Sequence, residues 1–336
     1  MTSRHEDARH MAHALRLARR GLGNVWPNPA VGCVIVKDGI VVGRGWTQPG
    51  GRPHAEPVAL AEAGEAARGA TAYVTLEPCA HYGKTPPCAE TLVGAGIARV
   101  VTALTDPDDR VAGRGHAILR AGGVDVTEGV RADEARSLQR GFLSRVTRGR
   151  PMVTLKLATS FDGRIALANG ESQWITGPDA RRHVHALRMT HDAIMVGGGT
   201  ARADHPSLNV RGFGPVRQPV RVIVAKGVIP ELPPEGPDFG PLWQVSGPIE
   251  AVLTELGRRG LTRVFCEGGG QLAASLLRAG LVDELVGYTA GLVLGADARP
   301  AVGTLDLTRL SDAPRFELAE LRAIGGDIFH RWRTPF

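Results

Sequence analysis

Aromatic side chains are scarce, with Phe, Trp and Tyr making up 5% of the 336 residues. Single-stranded nucleic acids are gripped by stacking bases on aromatic platforms, so this scarcity argues against that class of binder. Cysteine is scarce too, at four: Cys33, Cys79, Cys88 and Cys266. Four thiols in a chain this long are too few for a disulfide scaffold, and residues 1–20 are charged, with no apolar core of a signal peptide. The expected setting is therefore the cytoplasm, with reduced thiols that leave a metal site open. No uncharged apolar run reaches the ~18 residues of a membrane span. Neither sign of charge dominates, since 40 Lys and Arg face 34 Asp and Glu for a net +6. The arginines are scattered instead of gathered on one element, so neither nucleic acid nor membrane is an expected partner. A small basic excess suits a phosphorylated small substrate.

What is abundant is glycine, at 44 residues, in a chain that is 43% hydrophobic and 22% charged. That is a globular composition, long enough for two domains. Apolar residues alternate between strand-like and helical spacing. Strands are predicted at 31–36, 40–42, 72–76, 99–103 and 124–126, with helices at 5–20, 55–67, 88–93, 116–121 and 132–145. Arg148-Gly149-Arg150-Pro151 punctuates the chain, and a new strand follows at 152–158. The second half reads as helices at 178–189, 249–258 and 271–279 among strands at 193–197, 219–224, 262–266 and 284–294. Two more strands are predicted at 315–322 and 327–333. Residues 227–248, rich in Pro and Gly, read as a surface loop. The fold class is α/β, with domains at 1–148 and 149–336 and no repeat between them.

One cluster carries chemistry. His54-Ala55-Glu56 opens a predicted helix, Pro78-Cys79 closes a predicted strand, and Cys88 starts another helix. One imidazole and two thiolates suit Zn²⁺ and leave the fourth tetrahedral position for water. Zinc brings that water's pKa to about 7. Glu56 is then free to carry protons. His-x-Glu followed by Pro-Cys and a second Cys is the pattern of zinc nucleobase deaminases. Here the second cysteine follows nine positions after the first, through Thr85-Pro86-Pro87-Cys88.

With that insert, the chain resembles the bifunctional riboflavin-biosynthesis deaminase/reductase family over essentially its whole length. Asn28-Pro29-Ala30-Val31-Gly32, Thr75-Leu76-Glu77-Pro78-Cys79, Asp106-Pro107, Val111-Ala112-Gly113-Arg114-Gly115 and Gly170-Glu171-Ser172-Gln173-Trp174-Ile175-Thr176 carry the resemblance. It implies a cytidine-deaminase-like three-layer domain fused to a dihydrofolate-reductase-like domain. It also implies two reactions: hydrolytic deamination of a diaminopyrimidinone bearing a ribosylamino 5′-phosphate, then reduction of the ribosyl group to ribityl by NADPH. By resemblance, His54, Cys79 and Cys88 hold zinc, Glu56 shuttles protons, and Asn28, His81 and Asp106 contact the substrate. Asn28 also reads as a turn residue, and His81 as a solvated loop histidine.

In the second half, the resemblance sets Lys156, Asp204 and Glu267 nearest the chemistry. Ser172, Arg188, Leu208 and Arg211 meet the substrate, the arginines suiting its phosphate. Ala158, Trp174, Thr200 and Asp204 meet the cofactor, as do Gly268, Gly269 and Gly270 of a glycine-rich turn. A second such turn is Gly197-Gly198-Gly199-Thr200. Backbone N–H groups at such turns favour phosphate, although glycines also serve close strand–helix packing. Lys156 lies in an apolar strand, and alternation alone leaves it facing either solvent or the site.

Three departures from the family pattern stand out. Thr47 stands where histidine is common, Asp108 where asparagine is common, and Ala225-Lys226 where an acid and a small hydroxyl residue are common. Lys226 either takes over the contact to the cofactor's 2′-phosphate or is a solvated loop lysine. A homo-oligomer, dimer or tetramer, is expected. The competing reading is a zinc deaminase for another pyrimidine or a nucleic-acid base, with a non-catalytic C-terminal domain.

Overall fold

The computed structural model describes residues 4–83, 86–108 and 112–334. Thr85 and Val111 of the motifs above lie outside the described residues. The chain divides into two compact units, Met1–Gly149 and Arg150–Phe336.

In the first unit, α1 (Arg4–Ala18) precedes the hairpin β1 (Gly32–Lys37) and β2 (Ile40–Trp46). Then follow α2 (Ala55–Ala63), β3 (Thr71–Val74), α3 (Cys88–Gly94), β4 (Arg99–Thr102), α4 (Arg114–Ala121), β5 (Asp125–Thr127) and α5 (Ala132–Arg148). The sheet order is β2-β1-β3-β4-β5. β1 runs antiparallel to β2 and β3, and β3, β4 and β5 run parallel. Helices α1 and α5 touch one another, while α2, α3 and α4 form a second connected set. Between them lies a core of buried Val34, Ile35, Tyr73, Val100 and Leu119.

Glycine decides how closely α2 approaches the sheet. A Cβ at Gly45 would lie 2.0 Å from the carbonyl oxygen of Ala55, and one at Gly43 would lie 2.2 Å from that of Ala59. Both are far inside van der Waals contact, so β2 can carry no side chain there. The first turn of α2 is thereby pressed onto the strand. Pro57 is tolerated in that turn because its missing N–H has no partner to lose.

The second unit contains β6 (Met152–Thr159), β7 (Arg164–Ala166), α6 (Pro178–Arg188), β8 (Ala193–Gly197), α7 (Gly198–Asp204), β9 (Val220–Val224) and β10 (Leu242–Val245). It continues with α8 (Ile249–Arg258), β11 (Arg263–Gly268), α9 (Gly270–Arg278), β12 (Glu284–Ala290), β13 (Arg299–Pro300), β14 (Glu317–Ile324) and β15 (Asp327–Arg333). Its eight-stranded sheet has the order β10-β9-β8-β11-β6-β12-β15-β14. The strands from β10 to β12 are parallel, and β15 is antiparallel to both neighbours.

Three sequence expectations are corrected. Residues 227–248 are not loop throughout, because Leu242–Val245 pairs with β9 at the sheet edge. The glycine turn after β8 is the first turn of a helix, α7. The strand starting at 284 ends at Ala290. A small pairing of β7 with β13 also escaped the sequence reading.

Candidate active sites

In the first unit, the starts of α2 and α3 meet. His54, extended at φ −68° and ψ 168°, is the residue just before α2, and Cys88 is the first residue of α3. Their ligand atoms and that of Cys79 all lie within 4.8 Å of one another. His54 Nδ1 is 3.7 Å from Cys79 Sγ and 3.4 Å from Cys88 Sγ. Zn–N and Zn–S bonds of about 2.0 and 2.3 Å at a tetrahedral angle give an N···S edge of roughly 3.5 Å. The donor set and its spacing therefore fit zinc.

The thiols are prepared for this. The backbone N–H of Cys88, which has no partner within its own helix, donates to Cys79 Sγ at 3.3 Å. Hydrogen bonds from the Cys88 thiol, from His54 and from that N–H outweigh burial and bring the Cys79 thiol to about 4. The Cys88 thiol is raised by its bond to Cys79 and by burial. A zinc ion held by His54, Cys79 and Cys88 would take both sulfurs as thiolates. Glu56 is 3% exposed and sits in the first turn of α2. Burial raises its carboxyl to about 6, with the His54 charge opposing, a value suited to a group that accepts and returns protons.

The residues implied as substrate contacts differ in their surroundings. The Asn28 amide lies against Gly51, where a Cβ would come 1.9 Å from Nδ2. Gly51 has φ +85°, which glycine alone adopts readily. His81 Nδ1 is buried without a hydrogen-bond partner among the described residues. Asp106 is 7% exposed and accepts from the Asp108 N–H at 2.9 Å. Thr47 is structural, since its hydroxyl accepts from Val31 N–H and donates to the Pro29 carbonyl, both at 3.0 Å. It thus braces the segment that follows Asn28.

Sequence reasoning passed over Glu77. Its buried carboxylate accepts four backbone N–H groups, those of Asp106, Gly113, Gly115 and His116, at 2.9–3.2 Å.

In the second unit, an open cleft of about 1060 Å³ lies at the carboxyl ends of β8, β9 and β11. Both glycine turns line it, as do Ser172, Thr200, Asp204 and Lys226. Nothing lies within 4 Å of where a Cβ at Gly199 or Gly268 would be, so both backbones face open cleft. A Cβ at Gly269 would come 2.7 Å from Thr200 Oγ1, so the two turns touch. A dinucleotide's phosphates fit such a bare backbone cradle. Burial raises the Asp204 carboxyl. Lys226 is exposed at the rim.

A second cluster begins one residue before Gly268. Arg188 grips Glu267 with Nε and Nη2 at 2.5 and 2.9 Å, and donates from Nη1 to the Asn209 carbonyl at 2.6 Å. Burial alone would raise the Glu267 carboxyl, but Arg188, Lys156 and His185 outweigh it and hold it low. Lys156 is partly exposed and lies within electrostatic reach of this cluster: burial lowers its ammonium, Glu267 opposes that, and Arg188 adds to it. His185, which sequence reasoning also missed, is lowered to about 4 by burial and by Arg188 and Arg211. Its neutral Nδ1 accepts the Arg211 N–H at 3.2 Å. Leu208, at φ +48° and 2% exposed, anchors this loop in the core. Ala158 packs beside Val184, Phe265 and Tyr288. Trp174 is 66% exposed, with the Arg181 guanidinium 4.4 Å from its ring centroid.

Residues 4–104 match the family described as "Cytidine and deoxycytidylate deaminase zinc-binding region", and residues 151–232 and 242–330 match "RibD C-terminal domain". The chain is 43% identical to the riboflavin biosynthesis protein RibD of Escherichia coli, across 96% of this chain and 98% of that protein. The solved structure of Acinetobacter baumannii RibD, form 1, superposes with a TM-score of 0.90 at 40% identity, covering 99% of this chain and 100% of that one. A diaminohydroxyphosphoribosylaminopyrimidine deaminase/5-amino-6-(5-phosphoribosylamino)uracil reductase from Thermotoga maritima superposes at 0.87 with 32% identity, covering 99% of both chains.

Proposed function

This chain belongs to the RibD family, and on that footing we propose how its two sites divide the work. It is a bifunctional enzyme of riboflavin biosynthesis, a zinc deaminase joined to a reductase. The reading as a deaminase with a non-catalytic second half is not favoured, because the relatives match across both units. The observation that carries the proposal is the convergence of His54, Cys79 and Cys88 with the buried proton carrier Glu56 beside them.

The substrate of the first site is 2,5-diamino-6-ribosylamino-4(3H)-pyrimidinone 5′-phosphate. Zinc, when bound, supplies a water acidified to near neutrality. Glu56 takes one proton of that water and gives it to the ring nitrogen as hydroxide adds to the amine-bearing carbon, then moves the added hydroxyl's proton to the amine, so ammonia leaves and a uracil-type ring remains. Asn28 offers both a donor and an acceptor to the pyrimidine edge. His81, whose Nδ1 has no partner among the described residues, and Asp106 complete the grip.

The reductase half implies a nicotinamide cofactor, and we assign NADPH to the glycine-lined cleft, with Gly268, Gly269, Gly270, Thr200, Asp204 and Lys226 against its phosphates and ribose, and Ala158 and Trp174 as further contacts. The nicotinamide supplies the hydride that reduces the ribosyl C1′. Ring opening needs a proton on the sugar oxygen, and Lys156, with its lowered ammonium, is suited to give it. Glu267 holds Lys156 charged until then. Three of the five N–H groups of Arg188 are already spent on protein. Exposed Arg211 therefore carries most of the 5′-phosphate charge, with Ser172 and Leu208 shaping the pocket. Free thiols at the candidate metal site fit a cytoplasmic setting. Exposed Leu318, Leu321 and Ile328 on the β14–β15 hairpin support a homo-oligomer.

A coupled assay tests the whole reading. The pyrimidine plus NADPH should yield ammonia and oxidised cofactor, followed separately, and the absence of either signal would remove that half of the proposal. Metal analysis should find about one zinc per chain. Serine at Cys79 or Cys88 should abolish zinc retention, while serine at buried Cys33 or Cys266 should leave it unchanged. Zinc loss from the latter pair would mean the ligand set is wrong.

Lys226 sets cofactor preference. The 2′-phosphate is the one large difference between NADPH and NADH, and a lysine reaching it makes a charge-assisted bond. Lys226→Ala should weaken NADPH binding about ten-fold or more and barely change NADH binding. An unchanged affinity ratio at fixed ionic strength would make Lys226 a solvated residue.

A further inference from the structure

We infer that Glu77 is a positioning residue of the deaminase, a clasp that sets the segment bearing Asp106; this rests on the reading of Asp106 as a substrate contact. The two carboxylate oxygens have different partners. Oε2 accepts the N–H of Asp106 at 3.1 Å and of Gly113 at 3.0 Å, holding two positions seven residues apart. Oε1 accepts the N–H of Gly115 at 2.9 Å and of His116 at 3.2 Å, in the first turn of α4. Those N–H groups have no partner within the helix. The preceding residue, Gly113, has no side chain to cap them, and a carboxylate from a distant part of the chain does so instead.

The approach is built into the backbone. The Glu77 side chain has no exposure. A Cβ at Gly115 would lie 2.0 Å from the Pro78 carbonyl and 3.1 Å from Glu77 Oε1, so only glycine admits this contact. Gly113 adopts φ +78° where the chain turns into α4. Bonds from N–H to a carboxylate are about twice as strong as neutral ones. Four of them on one buried group fix Asp106 relative to Glu77. Cys79 follows two residues later, so Glu77-Pro78-Cys79 ties the substrate segment and the metal ligands to one short piece of backbone.

An amide cannot replace this group. Every partner of Glu77 named above is a donor, and the NH₂ of glutamine would face two of them. Glu77→Gln should therefore loosen one pair of contacts and raise the KM for the pyrimidine by on the order of 10- to 100-fold, with kcat little changed. Zinc content and reduction of pre-deaminated intermediate should stay at wild-type values, which general unfolding would not allow. An unchanged KM, or zinc and kcat lost together, would overturn the clasp. Asp106→Asn, measured in parallel, separates two failures. If it leaves KM unchanged, the substrate assignment of Asp106 falls and the clasp's purpose falls with it. If it raises KM while Glu77→Gln does not, only the clasp falls. In the wild-type protein, the amides of Asp106, Gly113, Gly115 and His116 should exchange slowly with solvent hydrogen. Rapid exchange at Gly113 and Gly115 would overturn the proposal even if the variants fail to fold.

Discussion

Glu56→Gln should cut ammonia release by at least ~10²-fold, the scale of a lost general acid–base group. Glutamine keeps the size and a hydrogen-bonding oxygen but cannot accept and return a proton. The buried position of Glu56, 3% exposed, leaves little room for bulk solvent to substitute. Zinc should remain, since Glu56 is not among the three ligands. The same variant should still reduce the deaminated intermediate when that is supplied directly, because the reductase cluster lies in the other unit. A variant that deaminates near the wild-type rate would show that another group carries the proton.

Arg188→Met should destabilise the Arg150–Phe336 unit by about 3 kcal/mol. The pair is nearly buried, with side-chain exposures of 12% for Arg188 and 11% for Glu267. Removing the arginine leaves the carboxylate with Lys156 and His185 as its remaining neighbours. Adding Glu267→Gln to Arg188→Met should restore part of the loss, since the stranded charge goes with it. Urea unfolding of the full chain measures both, and strictly additive losses would show that the two side chains do not act as a pair. The pH dependence has a definite sign. Burial acts to raise the Glu267 carboxyl, but its cationic neighbours hold it below the ordinary value. Its contribution is thus complete above the unfolded-state value of about 4.3 and fades as pH falls through the folded one. The penalty of Arg188→Met should shrink on acidification.

The grouping of His54, Cys79 and Cys88 was legible because its signal lies in residue types. Histidine and cysteine at helix starts can be read one letter at a time, and so can Glu56 beside them. The α/β alternation was legible from apolar spacing for the same reason. The clasp was hidden because the four hydrogen bonds to the Glu77 carboxylate come from backbone N–H groups, which carry no residue identity, with the His116 ring further off at 3.9 Å. Arg188 and Glu267 are 79 positions apart, and nothing in spacing announces that they meet. β10 escaped because four residues among prolines and glycines have too few alternations to register, and its pairing with β9 supplies what propensity lacks. α7 begins with two glycines, which are poor helix formers. The close approach of Gly198 to Ala225, where a Cβ would sit 2.6 Å from the Ala225 Cβ, explains one of them.

The bare stretch of β2 bears on how this enzyme tolerates change. Ala55, whose carbonyl presses on Gly45, sits between His54 and Glu56, the proposed ligand and proton carrier. Any side chain at Gly45 acts as a wedge under the catalytic turn, lifting ligand and carrier together while leaving their chemistry intact. In a saturation mutagenesis screen scored by ammonia release, Gly43 and Gly45 will rank with the metal ligands, though neither needs to touch substrate. Such a screen maps the thickness of the interface between strand and helix as much as it maps the active site.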